Sequence, residues 1–300
     1  MAWNDKAPGF LTKPLSQKTL DKIKYMAKQE KTIFGHPAGL YILFFVEMWE
    51  RFSYYGMRAI LTLFLAAPVI MGDPQSGYGW TNAETLSFYG TYTMCVYLMS
   101  IPGGWVADKF IGQKKAVMLG GLLLCAGHGI LAVDAEWAFF TGLILIVVGV
   151  GFLKPNISTM VGGLYQKGDN KRDTGFYIFY MGINLGAFVA TIVCAYLGET
   201  FGWKYGFGVA GIGMVLGLLA FRIGSKNLEN VGLPQDPNLL ESKRLGIKFE
   251  YLIYLSAVLF IALTWFLFTV LDDFGIILSL IGFPVITWLF FYIYRKCNRK

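Results

Sequence analysis

The chain has 300 residues, of which 55% are hydrophobic, and 26 basic against 19 acidic side chains give it a net charge of +7. Its apolar runs reach bilayer length, which excludes a soluble domain, and they are too long and continuous to be strands of a membrane barrel. Because lipid offers the backbone no hydrogen-bond partner, the sequence predicts an all-α integral membrane protein.

Eight membrane spans are predicted in chain order. A cytoplasmic tail (1–35) precedes a six-helix bundle (36–222), and a cytoplasmic linker (223–248) leads to a two-helix hairpin with a short tail (249–300). The hairpin is uninterrupted by charge, so it is expected to face lipid. The predicted spans are residues 38–68, 84–107, 116–133, 137–165, 174–198, 203–222, 250–271 and 275–294.

The basic side chains are distributed asymmetrically about these spans. If the N-terminus is cytoplasmic, 22 of the 26 lysines and arginines lie on the cytoplasmic side and Lys204 lies on the other. This is the positive-inside pattern, which predicts a multi-pass membrane protein with both termini cytoplasmic. The net charge follows from this asymmetry, so no nucleic-acid partner is predicted; membrane lipid is the expected surrounding. The first 35 residues contain seven lysines and no apolar core of a signal peptide.

The cysteines and histidines do not indicate a metal site or a cofactor. Cys95, Cys125, Cys194 and Cys297 lack metal-type spacing, and three of them fall within spans. His36, in "FGHP", belongs to the start of the first span. His128 is isolated in the third span, where a structural role and a functional one both remain open.

The first span contains ionisable side chains in the stretch "VEMWERFSYYGMR". On a helix, its polar members share an arc of roughly 100°. A ladder of ion pairs that merely neutralises itself would explain them, but ionisable groups inside a membrane usually mark a path for a substrate or a proton. The members of this stripe are Glu47, Glu50, Arg51, Tyr54 and Arg58, with Tyr55 at its edge.

Three other spans are expected to place polar side chains at the same depth. At about 1.5 Å per residue, Glu47 and Arg51 lie roughly 13–20 Å from the cytoplasmic end of their span, and Lys154 lies roughly 16 Å from that face. Asn184 and Tyr97 fall in the same layer, with Tyr92 slightly further on. A carboxylate that faces Lys154 or Arg51 can exchange its ion pair for a proton, and arginine can bind a carboxylate through two hydrogen bonds. The sequence therefore predicts a proton-coupled site for a carboxylate-bearing solute in a solvated cavity.

A second motif, "GGWVADKFIGQKK", lies in the predicted loop between spans two and three. It has a Gly-x3-Asp helix end followed by a basic loop, and its motif residues are Gly104, Asp108 and Gly112. The acid can interact with a neighbouring helix terminus or an arginine in one conformational state. This motif therefore predicts a loop that changes its contacts during conformational change.

These motifs together resemble the proton-dependent oligopeptide transporter (POT/PTR) family of the major facilitator superfamily. "EMWERFSYYG" resembles its first-span signature, "GGWVADKFIG" the superfamily loop, "FLKPN" the fourth-span lysine motif and "FYMGINLGAF" the fifth-span signature. The resemblance covers residues 36–222, and the hairpin resembles two extra helices that bacterial members insert between their bundles.

The resemblance implies uptake of di- and tripeptides with protons as the coupling ion and no cofactor. It implies Glu47 and Glu50 as proton-linked carboxylates, Lys154 as their salt-bridge partner within the peptide site, and Arg51 as the ligand of the peptide's carboxylate. The side chains implied to line the pocket are Tyr54, Tyr55, Arg58, Tyr180, Asn184 and a second-span tyrosine, either Tyr92 or, preferred by its depth, Tyr97.

The chain departs from the family because no second six-helix bundle follows the hairpin. The family's acid for the peptide's amino group lies there, and Glu250, Asp272 and Asp273 are poor substitutes. The expected partners therefore include a C-terminal bundle or a second copy of the chain. Alternatives are a carrier of another anion such as nitrate, or a truncated protein that does not transport. An enzyme is not predicted, since the sequence lacks a nucleophile–base pair or phosphate loop.

Overall fold

Six long helices form the main body of the protein in a computed structural model. The structure describes residues 32–228, 230–244, 246–270, 282–284, 286–288, 290–292 and 294–295. The six helices are α1 (Ala38–Ala66), α2 (Asn82–Val106), α3 (Gly112–Leu131), α4 (Glu136–Gly163), α5 (Lys171–Phe201) and α6 (Trp203–Gly224). Their ends lie within a few residues of the predicted spans, because uninterrupted apolar runs determine both.

Shorter elements flank these helices. Strands β1 (Thr32–Ile33) and β2 (His36–Pro37) pair in antiparallel fashion before α1, and a π-helical turn (Ala107–Ile111) joins α2 to α3. After α6 come a 3-10 turn (Ser225–Leu228), α7 (Pro237–Glu241), the strand pair β3 (Lys243–Arg244) and β4 (Ile247–Lys248), and α8 (Phe249–Val270). The described positions from 282 to 295 are helical. The predicted tail up to residue 31 and the turn with Asp272 and Asp273 lie outside the described residues.

Four described stretches are long and apolar enough to cross a membrane. They are Asn82–Leu131, which contains both α2 and α3, and the stretches Glu136–Gly163, Lys171–Phe201 and Trp203–Leu228. Helix α1 is 29 residues long, but its charged side chains from Glu47 to Arg58 lie near its middle, so every 18-residue stretch of it contains at least three of them. The described fold is that of an all-α, multi-pass membrane protein.

Glycines on α5 bring that helix unusually close to α1. A Cβ atom placed on Gly182 would lie 3.0 Å from the carbonyl oxygen of Phe44, and one on Gly186 would lie 3.0 Å from the carbonyl carbon of Met48. On the other side, a Cβ on Gly217 of α6 would lie 3.0 Å from the Cβ of Trp49. Small residues permit such close approach in lipid. Helix α1 is therefore held by α5 and α6 at the level of its ionisable side chains.

Helix α4 is central to the other half of the bundle, where it packs against α2 and α3. A Cβ on Gly127 of α3 would lie 2.8 Å from the carbonyl oxygen of Gly142, which shows a close backbone contact. The helix continues through Pro155, and Asn156 donates a hydrogen bond to the carbonyl of Phe152 at 2.7 Å. Lys154 is thereby presented from a well-packed helix.

The linker and α8 pack on the bundle more closely than the sequence indicated. Leu228 and Leu240 are buried, and the backbone N–H of Lys114 donates to the carbonyl of Gly232 at 2.9 Å. One face of α8 is buried through Ile253 and Ala257. The expectation that the hairpin faces lipid is therefore incomplete, because one face of α8 is buried. In the linker, isolated apolar residues within a polar segment are enough to dock the chain.

Candidate functional site

A cluster of three buried ionisable side chains lies in the middle of α1. The Nε atom of Arg51 donates to Oε2 of Glu50 and lies 3.1 Å from Oε1 of Glu47. All three side chains are almost inaccessible to solvent. One guanidinium is thus shared by two carboxylates, and when both acids are ionised the cluster has an excess of one negative charge. Such an arrangement can hold an exchangeable proton.

Each member of this cluster has a polar atom left over. Among the described residues, Oε2 of Glu47, Oε1 of Glu50 and Nη2 of Arg51 are buried without a hydrogen-bond partner. A buried polar group without a hydrogen-bond partner lowers the stability of the fold by about 1–3 kcal/mol. The cluster would therefore gain from binding a polar solute or water. The Nη2 atom in particular can donate to a solute carboxylate, since charge-assisted bonds from arginine are strong and directional.

Aromatic rings and a second guanidinium surround the next turns of α1. The Cζ atom of Arg51 lies 5.4 Å from the ring centroid of Tyr54 and 6.0 Å from that of Tyr55. Arg58 lies 6.0 Å from the Tyr55 ring and donates from Nε to the hydroxyl of Tyr89. Tyr55 therefore stands between two cations. Tyr89 was missed by sequence reasoning, although its i, i+3 spacing from Tyr92 on one helix was a usable signal.

The two candidate tyrosines of α2 have opposite environments. Tyr97 is 55% exposed, and the Nζ atom of Lys154 lies 4.4 Å from its ring centroid, a cation–π contact. Tyr92 is completely buried, with its hydroxyl unpartnered among the described residues. The structure thus brings Tyr97 to Lys154 and places Tyr92 in the core of the bundle.

Lys154 does not form the direct salt bridge that the resemblance implied. Across the described part of the chain, the ion pairs made by Glu47 and Glu50 within 4.0 Å are both with Arg51. The Nζ atom of Lys154 lies instead over the ring of Tyr97. The physical reason is proximity along the helix, because Arg51 is adjacent to Glu50 and one turn from Glu47, whereas Lys154 must reach across from α4.

Tyr180 and Asn184 lie together on the exposed side of α5. The Nδ2 atom of Asn184 donates to the carbonyl of Tyr180 at 3.1 Å, and both side chains are exposed. They lie opposite the face of α5 that packs on α1 through Gly182 and Gly186. The structure therefore does not bring them into contact with the cluster of Glu47, Glu50 and Arg51.

The predicted loop motif adopts a defined conformation. Oδ1 of Asp108 accepts a hydrogen bond from Nε2 of Gln113 at 2.8 Å, so its partner is a side chain in the first turn of α3 rather than an arginine. Gly112 has a φ of +76°, a conformation that favours glycine, and a Cβ there would lie 2.7 Å from the carbonyl oxygen of Gly232. Gly104 packs near Pro155 of α4.

A separate cavity of about 270 Å³ lies towards the other end of α1, beside the loop that follows it. Acidic and aromatic side chains line it, including Asp73, Asp134, Glu136, Tyr78 and Trp203. None of the predicted site residues lines this cavity. It is therefore distinct from the buried ionisable cluster.

Comparison with known proteins identifies the group to which this chain is similar. A family model described as "PTR2: POT family" matches residues 114–247. A di-/tripeptide transporter of Lactococcus lactis subsp. cremoris is 40% identical over 281 residues, which is 90% of this chain and 55% of the relative. These matches support a POT family member. A second relative, the uncharacterized transporter YclF of Bacillus subtilis, is also 40% identical, over 90% of this chain and 54% of its own.

Solved structures of POT transporters have the same fold as this chain. A crystal structure of a peptide transporter POT mutant with alafosfalin gives a TM-score of 0.74 at 40% identity, covering 89% of this chain and 53% of the other. A POT family transporter with 5-aminolevulinic acid gives a TM-score of 0.68 at 37% identity, covering 80% and 48%. The chain spans about half the length of the POT relatives that it matches. The family and these relatives are transporters.

Proposed function

We propose that this chain forms part of a POT transporter that carries di- and tripeptides together with protons. The observation that carries the proposal is the buried cluster in which Glu47 and Glu50 share the guanidinium of Arg51. The di-/tripeptide relative supports a peptide substrate, and the POT structure with 5-aminolevulinic acid supports a small solute that bears both an amine and an acid group.

The proposed coupling follows from the sharing of one cation. Nη2 of Arg51 is free to donate to a peptide carboxylate, and Nε is already bound to both acids. When a peptide carboxylate takes part of the guanidinium's charge, two neighbouring carboxylates can no longer both remain ionised at low cost. A proton then joins Glu47 or Glu50. Lys154, on the facing helix α4, would complete the exchange by moving towards the acid that stays ionised.

The proposed peptide pocket is lined by the aromatic and polar side chains around this cluster. Tyr54, Tyr55 and Arg58 surround the guanidinium, and Tyr97 is favoured over Tyr92 because it is exposed beside Lys154. Tyr180 and Asn184 stay pocket residues in this proposal on the strength of the family resemblance, and they would contact the solute from the exposed face of α5, away from the cluster itself. The loop with Gly104, Asp108 and Gly112 would respond to the conformational change.

The proposed architecture has eight spans in a bacterial cytoplasmic membrane, with both termini cytoplasmic. Six spans form one bundle (36–222) and the last two form the hairpin (249–300), with the tail (1–35) and the linker (223–248) outside the membrane. Alternating access requires two bundles that move about one site. The relatives' greater length supports a second bundle as the partner that completes the site, and a second copy of this chain is the alternative.

The test is uptake of labelled dialanine into liposomes that contain this chain, with and without an inward proton gradient. Glu50→Gln is expected to abolish gradient-driven uptake. Glu199→Gln is the matched control, because Glu199 is exposed at the far end of α5 and should leave uptake unchanged. Uptake that persists in Glu50→Gln would refute the proposed coupling.

A binding measurement separates the solute from the coupling. Dialanine should bind to the reconstituted chain, and Arg51→Met should weaken binding by about tenfold or more, which is the worth of one charge-assisted hydrogen bond. Nitrate that binds equally well and displaces dialanine would favour a general anion carrier instead. An absence of dialanine binding would contradict a peptide site on this half of the protein.

A further inference from the structure

A tight turn at the foot of α1 holds a phenylalanine in an unusual backbone conformation. Strands β1 and β2 pair Thr32 with Pro37 and Ile33 with His36, which leaves Phe34 and Gly35 as the two residues of the turn. Their φ angles are +49° and +78°. A two-residue turn of this kind favours Asn-Gly, and a phenylalanine at positive φ is strained. We refer to residues 32–37 as the α1 hairpin.

Two contacts hold the α1 hairpin against neighbouring helix ends. His36 is buried, and its Nδ1 atom lies 2.9 Å from the hydroxyl of Tyr165, just after α4. The Nζ atom of Lys171, at the start of α5, donates to the carbonyl of Gly35 at 3.1 Å. The surrounding structure therefore fixes the conformation of the turn, so the direction in which Phe34 projects is set by the fold.

The α1 hairpin presents an apolar tip to its surroundings. Phe34 is 91% exposed and Ile33 is 44% exposed, and the Phe34 ring makes an edge contact with Tyr41 at 6.3 Å. The tip lies beside the C-terminal end of α4 and the N-terminal end of α5, two helices of membrane length. The apolar tip is therefore at the height where the membrane-crossing part of the bundle ends.

Basic side chains outnumber acidic ones in the described segment beside this tip and in the sequence that precedes it. The adjoining loop and first turn of α5 carry Lys167, Lys171 and Arg172 against Asp169 and Asp173, an excess of one positive charge. In the sequence, residues 1–31 carry seven lysines against three acidic residues, an excess of four. Basic side chains beside a membrane are attracted to the negative surface of anionic lipids. Aromatic residues are enriched at the same level, because their rings suit the headgroup region.

We propose that the α1 hairpin is an anchor for an anionic lipid surface, with Phe34 and Ile33 inserted into the headgroup region. The partner is a bilayer rather than another polypeptide, since an exposed aromatic tip with flanking lysines at the ends of membrane-length helices has the composition of a membrane interface. The anchor would set the depth of α1. Glu47 lies nine residues beyond the first residue of α1, which is about 14 Å along the helix.

The test uses the photo-crosslinking amino acid p-benzoylphenylalanine in place of Phe34, in the whole chain reconstituted into nanodiscs. The replaced side chain is exposed, so the change should not disturb folding. The same substitution at Gln235, an exposed position in the linker, is the matched control. After irradiation, mass spectrometry separates lipid adducts from protein adducts, in nanodiscs of phosphatidylglycerol and in nanodiscs of phosphatidylcholine.

The expected result is that position 34 forms lipid adducts as its main product and position 235 does not. The yield of lipid adducts at position 34 should be at least about fivefold higher in phosphatidylglycerol than in phosphatidylcholine, which is the effect of one basic side chain near an anionic surface. Adducts within the chain or between two copies would overturn the proposal and indicate a protein contact. A yield at position 34 no higher than at position 235 would also overturn it, and equal yields in the two lipids would refute the anionic partner.

Discussion

The contact between α1 and α5 gives the sharpest stability prediction, through Gly186→Ala. A Cβ on Gly186 would lie 3.0 Å from the carbonyl carbon of Met48 and 3.1 Å from the backbone nitrogen of Phe52. Carbon atoms pack best at about 3.5–4.0 Å, so α5 would have to move outwards by roughly 0.5–1 Å. The obstructing atoms are backbone atoms of a long helix, which cannot rotate away as a side chain could. The cost expected for such overpacking is about 1–3 kcal/mol.

Gly90→Ala on α2 is the matched control. Nothing lies within 4 Å of a Cβ at Gly90, so this alanine should gain about 1 kcal/mol of helix propensity without a clash. We expect the free energy of unfolding, measured by denaturation in mixed detergent micelles, to fall in Gly186→Ala and to hold or rise in Gly90→Ala. Equal stability of the two variants would refute the close backbone contact between α1 and α5. Because Met48 lies beside Glu47, the same variant should also weaken dialanine binding.

Three further predictions concern single contacts. Arg51→Met should lower the free energy of unfolding by about 3–5 kcal/mol at neutral pH, because it leaves two buried carboxylates without their cation. A smaller loss of stability at acidic pH, where the acids are protonated, would support this cause. Burial raises the pKa of Tyr165 to about 12, so its neutral form stabilises the fold below pH 10, and that stabilisation is lost as the pH rises towards 12. The free energy of unfolding of Tyr165→Phe should therefore depend less on pH in this range. An unchanged pH dependence would contradict this prediction. Lys115 and Glu250 form an ion pair at 2.6 Å, but their side chains are 41% and 21% exposed, so solvent screens the attraction between them. A double-mutant cycle of Lys115→Met and Glu250→Gln should give a coupling energy of about 0.5 kcal/mol, and a value several times larger would contradict this screening.

The positions of the helices were largely predictable from the sequence. Apolar runs of bilayer length predicted α1 to α6 to within a few residues, because in lipid a helix continues for as long as its side chains are apolar. The cluster of ionisable side chains on α1 was equally predictable from the sequence. Glu47, Glu50 and Arg51 lie one residue or one turn apart, so helix geometry alone brings them together.

Contacts between helices were harder to predict. Depth along a span placed Tyr92 and Tyr97 within one or two turns of each other, but rotation around the helix axis decided that Tyr97 meets Lys154 and Tyr92 is buried. The expected pairing of Lys154 with the carboxylates stays a prediction, since in the described residues the ion pairs of Glu47 and Glu50 within 4.0 Å are with Arg51. A neighbour on the same helix has a shorter distance to cover than a side chain on a facing helix.

The sequence by itself determined the class of protein, the extent of its main helices and the charged cluster on α1, since all of these depend on local periodicity and hydropathy. Tertiary structure decided which partners the side chains take. It placed Tyr89 against Arg58, docked the linker beside Gly112 and fixed Phe34 at the tip of the α1 hairpin. The physical reason is that hydropathy records how much surface a segment buries, whereas the choice of neighbour depends on the packing of residues far apart in the chain.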